Sequence, residues 1–310
     1  MSELILHHYA TSPFSQKVRW VLGLKGLDWA SVTVPVMMPK PDVLALTGGY
    51  RRTPFLQIGA DIYCDSALMC RVIDRIAPQP PLVPAGTAGM AHVLAQWADS
   101  ALFWVAVPLT LQLAGPTGIL PQATPEFLKA FAADRAAMTA GLRRPGAHDA
   151  RAQLQQYLAW LEQQLGDGRP FMLGPEVCIA DFSIAQSLWF MQLAPKVAEA
   201  LLQPWPRLRA WYGRIAAFGH GTASELSSGE ALLVARHASG HAPCRIDETP
   251  GFEPGSEVMV NALDYGADPV AGRLVGLDSD EVVLERHDER AGRVHVHFPR
   301  IGFQLRKDAR

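Results

Sequence analysis

The run Tyr9-Ala10-Thr11-Ser12-Pro13-Phe14-Ser15 sets a hydroxyl at the start of a predicted helix. Pro13 suits a first helical position, which needs no N–H partner, and Ser12 is a good amino-terminal cap. The unpaired N–H groups of such an end, and its positive dipole, favour an anion beside Ser12. Asp65-Ser66 opens another predicted helix and offers the same chemistry. Taken alone, each pair is an ordinary capping element. Between them lie Lys40, Arg51 and Arg52, cations on a connecting segment, and Thr53-Pro54, an X–Pro bond of the kind that tolerates cis geometry. Anion stabilisation is what these residue types have in common.

The elements that must position them are short. Glu3 to His8 reads as a strand, followed by a helix from Pro13 towards Gly26 with Val18, Val21 and Leu22 at core spacing. Ala30 to Val36 is β-branched and reads as a second strand, parallel to the first in a right-handed βαβ unit. A loop leads to a hairpin, Phe55–Ile58 and Ile62–Cys64 about the Gly59-Ala60-Asp61 turn, and a helix follows from Ser66 to Ile76.

This order, with Ser12-Pro13-Phe14-Ser15 opening the first helix, Thr53-Pro54 before the hairpin and Asp65-Ser66 opening the last helix, resembles the amino-terminal domain of soluble glutathione transferases. That domain is thioredoxin-like. In the related glutaredoxins the first run carries two cysteines, and here both positions are serines, so disulfide exchange is lost while the helix-start geometry remains. The resemblance implies glutathione as co-substrate, with Ser12 as the catalytic residue holding its sulfur as thiolate. It implies Thr53 and Pro54, the latter cis, beside the cysteinyl backbone, and Asp65 and Ser66 at the γ-glutamyl end. Arg52 takes the glycyl carboxylate, with Lys40 and Arg51 as further cations. Phe14 joins the glutathione-binding set, and Tyr9 is the second choice for the sulfur. Many relatives have glutamate where Asp65 stands, a small departure.

The implied fold is an α/β thioredoxin-like domain over residues 1–78 and an all-α domain over 88–225; strand alternation beyond them adds a small all-β, barrel-like domain over 255–310. In the helical part, Ala150–Leu165 is a helix. Cys178 stands where the family has a Ser or Thr helix cap, with Asp181 still closing that helix start. Pro108 and Pro116 predict a kink or a stop in the first long helix. The acceptor site, for an apolar small-molecule electrophile, lies between the first two domains near Leu102, Phe103, Trp104 and Val107. The family also implies a homodimer. Two other readings share the residues: a glutathione-dependent isomerase or peroxidase, and a non-catalytic scaffold that binds through its carboxy-terminal part.

The family pattern ends near residue 220, and ninety more residues follow. After a Gly- and Pro-rich linker over 237–254 come strands at Glu257–Ala262, Val270–Leu277, Glu281–Arg286, Val294–Phe298 and Gly302–Leu305, with turn-like separators such as Asp264-Tyr265-Gly266. They predict a curled antiparallel barrel or half-barrel. His295 and His297 share a strand face, with His287 as their expected cross-strand neighbour. They are read as neutral packed histidines, and no metal is expected.

Composition excludes other classes. Of 310 residues, 49% are hydrophobic and 19% charged, so a large core is expected. The net charge of -2 speaks against a nucleic-acid partner. No signal peptide and no run of about 20 apolar residues is seen, so neither secretion nor a membrane partner is expected. Cys64, Cys70, Cys178 and Cys244 lack paired spacing and are read as buried thiols of a cytoplasmic protein.

Overall fold

The computed structural model describes residues 3–247 and 251–307. Strands β1 (Ile5–His8) and β2 (Asp28–Thr33) flank helix α1 (Pro13–Leu24) and pair in parallel, Ile5 against Ala30 and His8 against Thr33. β2 starts and ends earlier than expected. Val34 N–H makes a last bond to the His8 carbonyl, 2.9 Å, and Pro35 has no N–H to carry the ladder on. Helix α2 (Pro41–Thr47) occupies the expected loop. It is too short for periodicity, but Pro41 in its first turn and Gly48 at φ 77° past its last are the usual end signals. β3 (Phe55–Ile58) and β4 (Asp61–Cys64) form the predicted hairpin, and α3 (Ser66–Ile76) has the predicted bounds.

A helical layer follows. α4 (Ala88–Trp97) passes through a π turn, Ala98–Leu102, into α5 (Phe103–Ala114), which contains Pro108 without ending there. α6 (Pro116–Ile119), α7 (Pro125–Met138), α8 (Ala147–Gln164), α9 (Ile179–Gln192), α10 (Pro195–Leu202) and α11 (Pro206–Ala216) complete it. Contrary to expectation, the run Ala88–Ala114 is long and apolar enough to cross a membrane by length and composition; half of its most apolar window is buried inside the protein. α9 is buried along nearly its whole length. At its start the buried Asp181 carboxylate accepts from Cys178 N–H at 2.9 Å, Met172 N–H at 2.9 Å and the Trp211 indole at 2.8 Å. It therefore closes the helix start although Cys178 supplies no oxygen cap; the thiol itself points at the carboxylate, 3.2 Å away.

The chain then returns to the sheet. β5 (Thr222–Glu225), in a stretch expected to be helical, pairs parallel with β2, and α12 (Ser228–His237) packs against α2. The five predicted tail strands are present as β6 (Glu257–Ala262), β7 (Val270–Leu277), β8 (Glu281–Asp288), β9 (Gly292–Pro299) and β10 (Phe303–Lys307). They are antiparallel to one another but open rather than closed into a barrel, because β9 pairs with β4 instead of β10. The product is a single ten-stranded sheet in the order β10-β6-β7-β8-β9-β4-β3-β1-β2-β5. His287 faces Arg293 across the β8–β9 pair, so it is not the neighbour of His295 and His297; Glu285 and Val283 are. All four cysteines are free thiols, and Cys244, unlike the other three, is exposed.

Several charges and imidazoles lie inside this framework. Lys17, fully buried on α1, pairs with Asp99 of the π turn at 2.5 Å and reaches the Ser66 hydroxyl at 3.4 Å. Asp99 also accepts from Gln186 of α9 at 2.6 Å, so one ion pair ties three helices and the π turn together. His7 stacks on Phe55 with centroids 4.1 Å apart and bonds to Gln57 at 2.8 Å. His8 meets Ser31 at 2.8 Å and Arg19 at 2.9 Å. Burial pushes both imidazoles down to about 4, from an ordinary 6.5.

Two stability predictions result. Both histidines are neutral in the folded chain and gain a proton near pH 6.5 when unfolded, so their contribution is present above pH 6.5 and lost as pH falls towards 4. Urea unfolding is expected to show a loss of about 3 kcal/mol or more by pH 4, beginning above pH 5 where ordinary carboxylates do not yet titrate. Asp99→Ala leaves the Lys17 ammonium buried without its partner and is expected to cost about 3–5 kcal/mol in the same measurement; a cost below about 1 kcal/mol contradicts that role.

Candidate functional site

The amino ends of α1 and α3 and the Thr53–Pro54 bond, which is cis, converge at one end of the amino-terminal strands. Beside them lies a cavity of about 650 Å³. Phe14, Thr53, Pro54, Asp65 and Ser66 line one side, Gln96 and Asp99 the helical side, and Tyr265, Arg300 and Phe303 the tail. Three parts of the chain thus build a single recess.

Ser12 caps α1 by accepting from Ser15 N–H at 3.2 Å, and its hydroxyl makes a long 3.5 Å contact to the Thr53 carbonyl. A bond at that length is weak, so the hydroxyl proton is available to a better acceptor. Ser12 is 2% exposed and is not among the residues that line the cavity. The Ser15 hydroxyl, in the next turn, is buried without a hydrogen-bond partner. Tyr9 is half-buried; burial raises its pKa, with Arg135 and Ser12 as neighbours that partly oppose the rise.

Asp65 adopts φ 75°, ψ 132°, a conformation few residues other than glycine take. It is held there from both sides. Its N–H donates to the Tyr50 hydroxyl at 3.1 Å, and its carboxylate caps α3 by accepting from Ala67 N–H at 2.9 Å. Such strain costs on the order of 1–3 kcal/mol and clusters where a ligand is gripped. Ser66 follows, buried, its hydroxyl facing Lys17.

The expected cations differ in their availability. Arg52 is buried, ion-paired with Asp264, bonded to the Tyr265 carbonyl and stacked on the Tyr265 ring at 3.9 Å. Arg51 pairs with Asp134 of α7. Lys40 has no carboxylate partner among the described residues; it donates to the Arg51 carbonyl at 3.2 Å and the Thr53 hydroxyl at 3.1 Å. Burial pulls its pKa down to about 8. Like Ser12, it is not among the residues that line the cavity.

The tail loop over 263–268 therefore closes the region that sequence analysis gave to glutathione. Gly266 N–H bonds to the Met138 carbonyl of α7 at 2.7 Å, and a Cβ on Gly266 would come within 3.0 Å of the Met138 methyl and 3.5 Å of Arg52. Tyr265 also meets Trp104, centroids 5.0 Å apart, in an aromatic chain that continues through Phe103 to Phe14. Of the expected acceptor-side residues, Leu102, Phe103 and Val107 are buried in the helical core, and Trp104 is half-exposed beside Arg144.

Four residues of this site escaped the sequence reading: Lys17, Asp99, Asp264 and Tyr265. Asp99 was detectable as the one charge in an otherwise apolar helical run, since such a charge is rarely buried unpaired. Asp264 and Tyr265 look like an ordinary strand connection and carry no local signal.

The family description "Glutathione S-transferase, N-terminal domain" matches residues 6–81, and "Glutathione S-transferase, C-terminal domain" matches residues 121–214. A GST-like protein from Pseudomonas syringae has a solved structure similar over 99% of this chain and 100% of its own, with 41% identity and a TM-score of 0.82. Its span includes the tail. A glutathione S-transferase from Rhodospirillum rubrum (19% identity, 69% of this chain, 88% of its own, TM-score 0.53) shares the fold. So does the beta-etherase LigF from Sphingobium sp. (17%, 70%, 96%, 0.55). No curated protein sequence matches. With both family domains present and a relative matched along almost its whole length, the chain belongs to the glutathione S-transferase family.

Proposed function

We propose that this chain binds glutathione in the interdomain cavity and activates its thiol for attack on an apolar electrophile. The observation that carries this reading is the strained Asp65 with Ser66 at the start of α3, in one recess with Thr53–Pro54. In this reading the γ-glutamyl carboxylate meets the α3 amino end and Ser66, while the Asp65 carboxylate faces the γ-glutamyl amine. The cysteinyl backbone lies along Thr53, a short β-type addition. Its sulfur then points towards the amino end of α1, where Ser12 turns its hydroxyl from Thr53 to the thiolate. One charge-assisted hydrogen bond and a helix terminus lower a thiol pKa by about one to two units. Phe14, which lines the cavity and packs on Phe103, offers the acceptor an apolar surface.

Ser12→Ala removes the hydrogen bond and leaves the helix terminus, so it is expected to raise the bound-thiol pKa by about one unit and to slow turnover of a generic apolar electrophile by about tenfold. Thiolate absorbance and steady-state rates measure these, and unchanged values remove Ser12 from the mechanism. The sulfur chemistry serves an isomerase or peroxidase equally, and a panel of electrophiles, isomerisable substrates and hydroperoxides separates them.

The Asp264 carboxylate occupies Arg52 as a substrate carboxylate would. Asp264→Ala is therefore expected to tighten glutathione binding several-fold in calorimetry, by freeing Arg52 from its internal competitor. Weaker or unchanged binding assigns the glycyl end elsewhere, with Lys40 next in line. The same closure favours the second reading, a non-catalytic scaffold; absence of binding at millimolar glutathione in both forms supports it.

A further inference from the structure

Away from the cleft, at the other end of β4, the seam between β4 and β9 gathers an unusual set of side chains. The parallel pair sets Asp61 against His295 and Tyr63 against His297, so all four side chains lie on one face. His241, on the segment after α12, lays its ring on that of His295 with centroids 3.6 Å apart and planes 11° from parallel. Its Nδ1 is 3.6 Å from Asp61 Oδ1, and His295 Nδ1 is 3.9 Å from the same oxygen. Both nitrogens are buried without a hydrogen-bond partner.

The protons do not account for this arrangement. On the far side of the ring, His295 Nε2 faces Glu285 Oε2 at 3.5 Å. A neutral imidazole has one N–H, and with it directed at Glu285 the Nδ1 presents a lone pair. Two stacked imidazolium rings would in any case repel. The His295 lone pair and an Asp61 carboxylate oxygen therefore face one another with no hydrogen between them, a contact that a cation relieves.

We propose that Asp61, His241 and His295 form a binding site for a divalent first-row transition metal, with zinc as the leading ion. One donor atom from each residue lies within 4.8 Å of the others. Ligands about 2.1 Å from a tetrahedral zinc stand about 3.4 Å apart, close to the 3.6 and 3.9 Å measured from Asp61. Two imidazoles with one carboxylate suit zinc, iron(II), nickel or copper, whereas magnesium and calcium prefer all-oxygen shells. The surroundings already have the form of a second shell. Glu285 faces the remote nitrogen of His295, His297 Nε2 meets Asp61 Oδ1 at 3.0 Å, and Ala242 N–H donates to Asp61 Oδ2 at 2.8 Å. A fourth position stays open to water. The ion ties the hairpin, the segment after α12 and the tail together at one point, and the site stands independently of the glutathione reading.

The test is calorimetric titration of chelator-treated full-length protein with zinc, with cobalt(II) as a visible-absorption probe of geometry. One equivalent of zinc and a tetrahedral cobalt spectrum are expected. Second-shell changes cost about tenfold to a hundredfold in affinity, so Glu285→Gln is expected in that range and His241→Ala and His295→Gln beyond it. Circular dichroism checks folding. His241 lies outside the regular strands, so His241→Ala decides should His295→Gln fail to fold. No zinc uptake, or an affinity that either folded ligand variant leaves unchanged, overturns the proposal.

Discussion

A strand edge left unpaired is a standing hazard to a folded chain, and here the β4 edge is satisfied by β9. Most of what distinguishes this molecule depends on that pairing. It converts the tail from an appended unit into the continuation of the amino-terminal sheet, and it fixes where every later loop can reach. The connection between β6 and β7 is thereby carried over the cleft, where Asp264 and Tyr265 meet Arg52. Arg71 and Arg75 of α3 meet Asp280 and Glu281 at the same boundary, 3.3 and 3.7 Å away. Those outer pairs are partly exposed and add little energy by themselves, so the backbone ladder is what holds the tail in place.

Charge is distributed around the cleft with a clear logic. Lys17 and Asp99 satisfy one another at the cavity wall, so the pair presents no net charge to a ligand. Arg52 is satisfied by the tail, and Lys40 only by neutral oxygens. The helix amino ends therefore carry the positive potential at the cleft, and the under-coordinated Lys40 ammonium lies buried beside Thr53. Dipoles and ammonium groups alone do not discriminate among anions, and Thr53–Pro54 with the strained Asp65 gives this end of the cavity a fixed shape.

Much of the fold was legible in the sequence. The tail strands and α3 lie within two residues of their expected bounds because alternation and helical spacing are local signals. α2 was hidden by its length, and β5 by its full exposure, which leaves no apolar alternation to read. The open sheet was hidden for another reason. Strand partners are chosen across the whole chain, and nothing in β9 by itself distinguishes β4 from β10 as a neighbour. At the site, Ser12, Thr53, Pro54, Asp65 and Ser66 could be brought together by motif spacing. The engagement of Arg52 could not, because its partner Asp264 lies far along the chain in a stretch that reads as a turn.

The interleaved strand order has a consequence for synthesis on the ribosome. Asp61 pairs with His295 and Ala30 with Ser224, so the first strands made wait for nearly the last ones. Through most of translation the nascent amino-terminal unit carries two open edges. Pairing of such high contact order is slow and exposes the chain to association with itself. Completion of the sheet is therefore a late event, tied to emergence of the carboxy-terminal strands. A chain truncated before β9 is left with the bare β4 edge as an invitation to aggregation, whatever the state of its cleft.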